Sequence, residues 1–335
     1  MLCERNAKDA WNREEMNMIT ISLCMIVKNE ERVLARCLDS LSGLMDEIII
    51  VDTGSTDRTI EIAKQYTDQV YSYPWKQDFS AARNYSFSKA SKEYIYVADA
   101  DEVLDEANKK KFADLKKVLL PEIDIVQMYY GNQLQYNTTY NYDKEYRPKL
   151  YKRIREFRWV DPLHERVALE PVVYDSEITI LHMPENNHGK RDFSLMEAVT
   201  RDGRAVSDHL HTMYAKELFI TGDDEDFLHA KAFFEKSIHA PEISMERLKE
   251  AALVLARCYR LEKKPVKFFK YAMKDMLTES CSEGCYEIGM YYMEEKDYAE
   301  AMVWFENAIA NTKPIFYAAY GDEYAKNALE LCKKI

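Results

Sequence analysis

Several things are scarce in this sequence, and each shortage narrows what the chain can be. No apolar run approaches the roughly 18 residues a membrane helix needs; the most apolar stretches, such as 48–51, are short. The opening MLCERNAKDAWNREEMNM contains no apolar core of a secretory signal, so a cytoplasmic chain is expected. Positive charge is short as well. Lys and Arg number 46 against 58 Asp and Glu, a formal net charge of −12, which argues against a basic surface for nucleic acid. Paired cysteines are missing too: the seven lie at 3, 24, 37, 258, 281, 285 and 332. Only Cys281 and Cys285 are close. A CxxxC pair with no further Cys or His at ligand spacing is a weak metal signal, so reduced, packed thiols are expected. Finally, the first strand-like run leads into VKNEE and not into a glycine-rich pyrophosphate turn, which sets aside a dinucleotide-binding oxidoreductase.

What is present divides into two halves, and 335 residues suit two domains. Short apolar strands at 19–27 (ITISLCMIV), 47–52 (EIIIVD), 70–73 and 94–98 (YIYVA) alternate with helical spacing at 30–42, 59–65 and 79–90. That alternation predicts an α/β fold with a mostly parallel sheet covered on both faces. From about Asp192 the strand signal stops and amphipathic helices take over. Gly289, Tyr292, Ala301, Phe305, Ala308 and Pro314 fall near the small-residue and aromatic spacing of a tetratricopeptide repeat. Ala230, Phe234 and Ser237 fit the same grid, as do Ala252, Leu255, Ala256 and Tyr259. A generic array of helical hairpins is the competing reading, because the tryptophan and turn-proline positions are irregular. A last helix over 317–334 would cap the stack. The expected domains are a loose extension (1–17), an α/β domain (18–190) and an all-α tetratricopeptide-like domain (191–335).

Ligands of open α/β sheets sit outside the carboxyl ends of the strands, which directs attention to 28–30, 52–57 and 99–102. Asp99-Ala100-Asp101 follows YIYVA, and alternate residues of an extended chain point the same way. Two hard carboxylates there can converge on Mg²⁺ or Mn²⁺, which retain water and phosphate oxygens as further ligands. Asp52 ends the second strand and can accept a hydrogen bond from a nucleotide base, whereas Ser55 and Asp57 are expected to cap the following helix. Asp78 or Ser80 is a candidate N-cap. Arg83, within the same DFSAARN segment, carries a guanidinium suited to phosphate and carbonyl groups. His182, ending an ITIL run, is a candidate third metal ligand. Asp161 and Glu165, in WVDPLHE, are candidates for a base that deprotonates an acceptor hydroxyl.

MIVKNEE, IIIVDTGSTDRT, DFSAARN and VADADE, in this order and spacing from residue 19 to about 105, resemble glycosyltransferase family 2. PKLYKR, FRWVDPLHERV and ILHM are similar to a bacterial branch of that family with C-terminal tetratricopeptide-like helices, which includes the sublancin-type peptide S-glycosyltransferases. The resemblance implies a GT-A fold, Rossmann-like, and inverting transfer from a nucleotide-sugar donor, UDP-linked to a hexose or N-acetylhexosamine. It implies Lys28, Asp52, Arg83 and Asp99 at the donor, Asp99, Asp101 and His182 at the metal, and His164 and Glu165 on the catalytic or acceptor side, with Glu165 as base. Asp101 would act in catalysis by fixing the cation against the departing diphosphate. One departure stands out, since ILHM continues here as PENNHGKR. The expected acceptor is a peptide, protein or surface glycan, which the helical half would present unless it mediates a homodimer. Two other readings share these residues: a tetratricopeptide-type scaffold with an inactive transferase-like domain, and a metal-dependent nucleotidyltransferase.

Overall fold

The computed structural model describes residues 18–131, 145–155, 158–162, 166–167, 171–183, 189–201, 206–241, 243–275 and 279–335. They fall into two compact units, one reaching residue 186 and one beginning at 187. The expected extension at 1–17 lies outside the described residues.

In the first unit, β1 (Ile21–Val27), α1 (Leu34–Ser40), β2 (Glu47–Asp52), α2 (Thr59–Ala63), β3 (Val70–Ser72), α3 (Phe79–Phe87) and β4 (Tyr94–Val97) alternate as the sequence predicts. The chain continues through β5 (Glu102–Val103), α4 (Glu106–Val118), β6 (Ile125–Gly131), β7 (Glu145–Lys152), β8 (Trp159–Val160), β9 (Arg166–Val167) and β10 (Val173–His182). The main sheet has eight strands in the order β3-β2-β1-β4-β7-β6-β10-β5, and β8 and β9 form a separate pair. β3, β2, β1 and β4 are parallel neighbours, as are β6 and β10. Only β7, between β4 and β6, and β5, on β10, run against the rest. The sheet is therefore mostly parallel.

Both faces of the central strands are covered, the condition a parallel sheet demands. On one face Leu23, Met25 and Tyr96 pack with Leu34, Leu38 and Phe112; on the other Cys24, Ile49, Val51 and Ile95 pack with Tyr85 and Phe87. Asp78 caps α3 through Ala81 N–H, and Asp105 caps α4 through Asn108 N–H. Because β1, β2 and β4 are parallel, their carboxyl ends share one edge, where 28–30, 52–57 and 99–102 emerge.

The second unit is all helical: α5 (Gly189–Arg201), α6 (Asp208–Thr221), α7 (Asp224–Ser237), α8 (Met245–Leu261), α9 (Pro265–Asp275), α10 (Ser282–Glu294), α11 (Tyr298–Ala310) and α12 (Glu323–Lys334). Turns of two or three residues join α6 to α7, α8 to α9 and α10 to α11. The sequence's small-residue spacing has a visible cause at Gly289, where an added Cβ would lie 2.6 Å from the Phe305 ring. Ala301, Phe305 and Ala308 form the buried stripe of α11. The single closing helix expected over 317–334 is instead a 3-10 turn, Ala318–Gly321, followed by α12, because Asp322 takes a non-helical conformation. None of the six described cysteines is in a disulfide, and all six are buried. Among the described residues, no helix is long and apolar enough to cross a membrane.

Candidate active site

The loops after β1 and β2 are bonded to one another along most of their length. Thr53 N–H and its hydroxyl both donate to the Val27 carbonyl, at 3.0 and 3.1 Å. Asn29, at φ 57°, donates its N–H to Ser55 Oγ at 2.9 Å and accepts Thr56 N–H on its side-chain oxygen at 2.8 Å. Glu30 N–H donates to Thr59 Oγ1 at 2.7 Å. The Asp52 carboxylate, buried at the strand end, accepts N–H groups of Gly54 and Ser55. Gly54 is at φ 109°, a conformation only glycine adopts without strain. Ser55 therefore ties two loops together and does not cap the next helix as expected. Asp57 serves Thr59 N–H, at 3.0 Å, at the start of α2. Lys28 stands exposed beside this cradle.

Asp99 and Asp101 leave β4 on the same edge, with buried Ala100 between them. Each carboxylate meets a basic side chain. Arg83 Nη2 lies 3.1 Å from Asp99 Oδ1, and His182 Nε2 lies 3.1 Å from Asp101 Oδ2. The Asp99 side chain is 41 % exposed, so Arg83 holds it without closing it off. Burial pushes the Asp99 carboxyl upward, but Arg83, Lys149 and Arg147 outweigh it and hold the group well below the usual carboxylate range. Register explains the reach of His182: β10 pairs with β5 so that His182 stands opposite Glu102, and Met183 N–H bonds the Asp101 carbonyl at 3.0 Å. Asp101 and His182 thus meet from segments some eighty residues apart, while Asp99 is paired with Arg83. Among the described residues no three His, Cys, Asp or Glu side chains cage a cation by themselves. Carboxylate oxygens are the ligands a hard divalent ion takes alongside water and phosphate oxygens, and of the two only Asp99 is substantially exposed, Asp101 being 16 % exposed.

The remaining parts have less obvious sequence signals. Lys149, from β7, donates to both oxygens of buried Glu102 at 2.5 and 2.7 Å. Its ammonium also lies 5.4 Å from the Tyr130 ring centre, and Arg147 lies 3.9 Å from the same ring. The His182 ring lies 5.1 Å from the Tyr130 ring centre. Behind Arg83, the Trp159 ring lies 5.2 Å from the guanidinium carbon. Asn84 fixes that tryptophan by donating to its carbonyl and accepting its N–H, at 2.9 and 2.8 Å. Phe79 N–H adds a bond to the Pro162 carbonyl at 2.8 Å, so segment 159–162 lies along α3. Asp161, at φ 69°, faces Arg166 at 3.2 Å. His164 and Glu165 lie outside the described residues, so the structure places neither. The DFSAARN segment contained Asn84, and PKLYKR contained Lys149, but nothing in a linear reading says which residues they meet.

Residues 22–169 match the family model described as Glycosyl transferase family 2. A TPR repeat-containing protein of Synechococcus elongatus is 47% identical over 87 residues, 26% of this chain and 22% of its own length. The SPbeta prophage-derived glycosyltransferase SunS of Bacillus subtilis is 28% identical over 246 residues, 68% of this chain and 55% of its own. This chain therefore spans under a quarter of the first relative and about half of the second. Among solved structures, glucosyl-3-phosphoglycerate synthase from Mycobacterium tuberculosis, in complex with Mn²⁺ and uridine-diphosphate-glucose, is similar at 15% identity and a TM-score of 0.39, over 56% of this chain and 81% of that one. The parallel-stranded cradle and the acidic motif at its rim both lie within the stretch, from β1 through β9, that matches the Glycosyl transferase family 2 model.

Proposed function

We propose that this chain is an inverting glycosyltransferase that moves a sugar from a UDP-linked donor, a hexose or N-acetylhexosamine, to a peptide, protein or surface-glycan acceptor. The observation that carries the reading is the placement of Asp99 and Asp101 at the carboxyl edge of β4, each beside a base and next to the bonded loops of β1 and β2. The family model over the same residues and the glycosyltransferase relatives support it. In this reading the cradle formed by 28–30 and 52–57 holds the nucleoside, with Asp52 still able to accept a base N–H beside its two turn bonds. Arg83 leaves Asp99 for the diphosphate, its planar fork matching phosphate oxygens. Asp99 and Asp101 hold Mg²⁺ or Mn²⁺, with His182 as third ligand or as the group that orients Asp101. A divalent ion so held supplies neutralisation of the charge that grows on the departing diphosphate. The acceptor proton goes to a base on the 158–167 segment, where we favour Glu165 with His164 beside it. We take 18–190 as the transferase domain and 191–335, of tetratricopeptide type, as the part that presents the acceptor or a second copy.

The test is metal-dependent hydrolysis of a panel of UDP-sugars by the full chain. At least one donor should turn over with Mn²⁺ or Mg²⁺ and stop with chelator. Asp101→Asn should keep the fold and lower turnover by about a hundredfold, the scale of losing one electrostatic stabiliser. Near-normal turnover of that variant with Mn²⁺ present removes Asp101 from the metal site. No binding or turnover across UDP and GDP donors overturns the reading, and a nucleotidyl product from a labelled donor would reassign the reaction.

A further inference from the structure

The residue that best explains how the acid motif keeps its shape lies on β7, the strand beside β4, and not on α3 with Arg83. Strand β7 pairs with β6 in a register that jumps: Val126 faces Leu150, yet Gln127 faces Pro148. Lys149 is the extra residue of this bulge. A bulge turns one side chain out of the regular alternation, and here consecutive residues Lys149 and Leu150 are both buried. Pro148, exposed beside it, has no N–H to lose from the ladder.

The redirected lysine ends against Glu102, with Oε1 and Oε2 both within 2.7 Å and both side chains nearly sealed, at 6 % and 2 % exposure. Glu102 directly follows Asp101 and lies on β5, the two-residue strand that pairs with His182 and Leu181. So short a strand has little backbone bonding of its own. Its position depends on what anchors the side chain of Glu102, and Lys149 is that anchor. Tyr130 supports the arrangement from below, taking the ammonium on its ring at 5.4 Å while packing His182 at 5.1 Å.

From this we infer that Lys149 is a positioning residue: through Glu102 it fixes the corner after Asp101, so that Asp99 and Asp101 present a preset pair of oxygens to a divalent cation. The inference rests on the reading of the motif as a cation and diphosphate site, and it names a residue that touches neither. The pair itself carries no net charge, so its contribution is to geometry. Outer groups that hold metal ligands in place typically change metal affinity by about 10- to 100-fold when altered.

The experiment is Mn²⁺ binding in the presence of UDP, read by the loss of the free-ion electron paramagnetic resonance signal, with thermal melting alongside. Lys149→Met with Glu102→Gln removes both charges together and avoids leaving one stranded in the interior. This double variant should melt within a few degrees of the wild type and bind Mn²⁺ about tenfold or more weakly. Glu102→Asp keeps the charge and withdraws the carboxylate by one methylene. It should weaken Mn²⁺ in the same direction, and it is the arm that decides if the double variant does not fold. UDP binding without metal should be unchanged in both, because the nucleoside cradle is built from other loops. Wild-type Mn²⁺ affinity in a folded double variant, or in Glu102→Asp, overturns the inference while leaving the transferase reading intact. A wild-type chain that binds no Mn²⁺ with UDP overturns both.

Discussion

Both units of this protein bury charged groups, but they use them differently. In the first unit three pairs, Arg83–Asp99, His182–Asp101 and Lys149–Glu102, gather at the carboxyl edge of the sheet, where Asp99 remains 41 % exposed even while Arg83 holds it. In the helical unit they are closed in by the hairpins. Glu287, fully buried, bonds Arg260 at 2.7 Å, and Arg260 also reaches Glu294. His211, equally buried, sits between Glu250 at 2.6 Å and Ser237 at 2.8 Å. That serine, histidine and glutamate line up as a nucleophile, base and carboxylate would, yet no substrate can reach a histidine with no exposed surface. Glu283 accepts the N–H groups of Phe316 and Tyr317 at 2.7 and 3.0 Å and so shapes the turn after α11. The difference teaches that ion pairing alone does not mark a site. What marks it is a paired acid that still faces outward and can exchange its partner for a ligand.

The largest effect that would test this contrast is on Glu287. Glu287→Leu takes from buried Arg260 the carboxylate its Nε bonds and should cost about 3–5 kcal/mol in denaturant unfolding, with nucleotide binding by the folded protein unchanged. A fall in UDP affinity without a loss of stability would break the comparison by making this network part of the site. Next in size is Gly289→Ala, which drives a methyl into the Phe305 ring and should cost about 1–3 kcal/mol. An unaltered melt would mean that the α10–α11 contact gives way more easily than its packing suggests.

The smallest effect is in pH dependence, and it sharpens the contrast by its sign. Burial pushes Glu47 up, but hydrogen bonds from Ser22, Ser91 and Gln69 prevail and hold it below the ordinary glutamate value. The native state then binds fewer protons than the unfolded chain, so this contribution is present above about pH 4.3 and is lost as pH falls through the lowered value. Glu283 is opposite: burial carries it above the ordinary value despite the N–H groups it accepts. Its contribution is present below about pH 4.3 and is lost as pH rises through the raised value. Melting series of Glu47→Gln and Glu283→Gln against wild type should therefore diverge in opposite pH directions; parallel curves would contradict the assignment.

Much of the first unit could be read before any coordinates. The β-branched runs of β1, β2 and β4 gave the parallel sheet, and the chain-edge rule put Asp52 and Asp99 on one rim. Helix ends were less legible: the spacing over 30–42 extends past α1, because tighter turns at either end, Val33 N–H to the Glu30 carbonyl and Leu41 N–H to the Leu38 carbonyl, keep those apolar residues buried beyond the helix. The rest of the site was hidden for a different reason. Asn84, Lys149 and Tyr130 owe their positions to pairings across 19 to 75 residues, as Tyr130 with Lys149 and Asn84 with Trp159. A bulge, moreover, leaves no periodic trace in sequence. Ser55 does not cap the helix as its position suggests: a serine before a helix commonly has that local use, but its partner Asn29 belongs to the loop after another strand.

The pairing of β5 with β10 has a consequence for the order in which the protein is made. The cradle, α3 and the Arg83–Asp99 contact are complete within the first hundred residues, from neighbouring strand–helix units that meet early. His182 and the strand that carries it emerge from the ribosome more than eighty residues later, and only then can Glu102 and Asp101 be clasped on their far side. Contacts of such long separation are slow to form, and a nascent chain has synthesised the bonded loops of β1 and β2 well before the residues that clasp the acid motif. The antiparallel latch thus closes the acid motif only with residues that are synthesised after every other strand of the sheet.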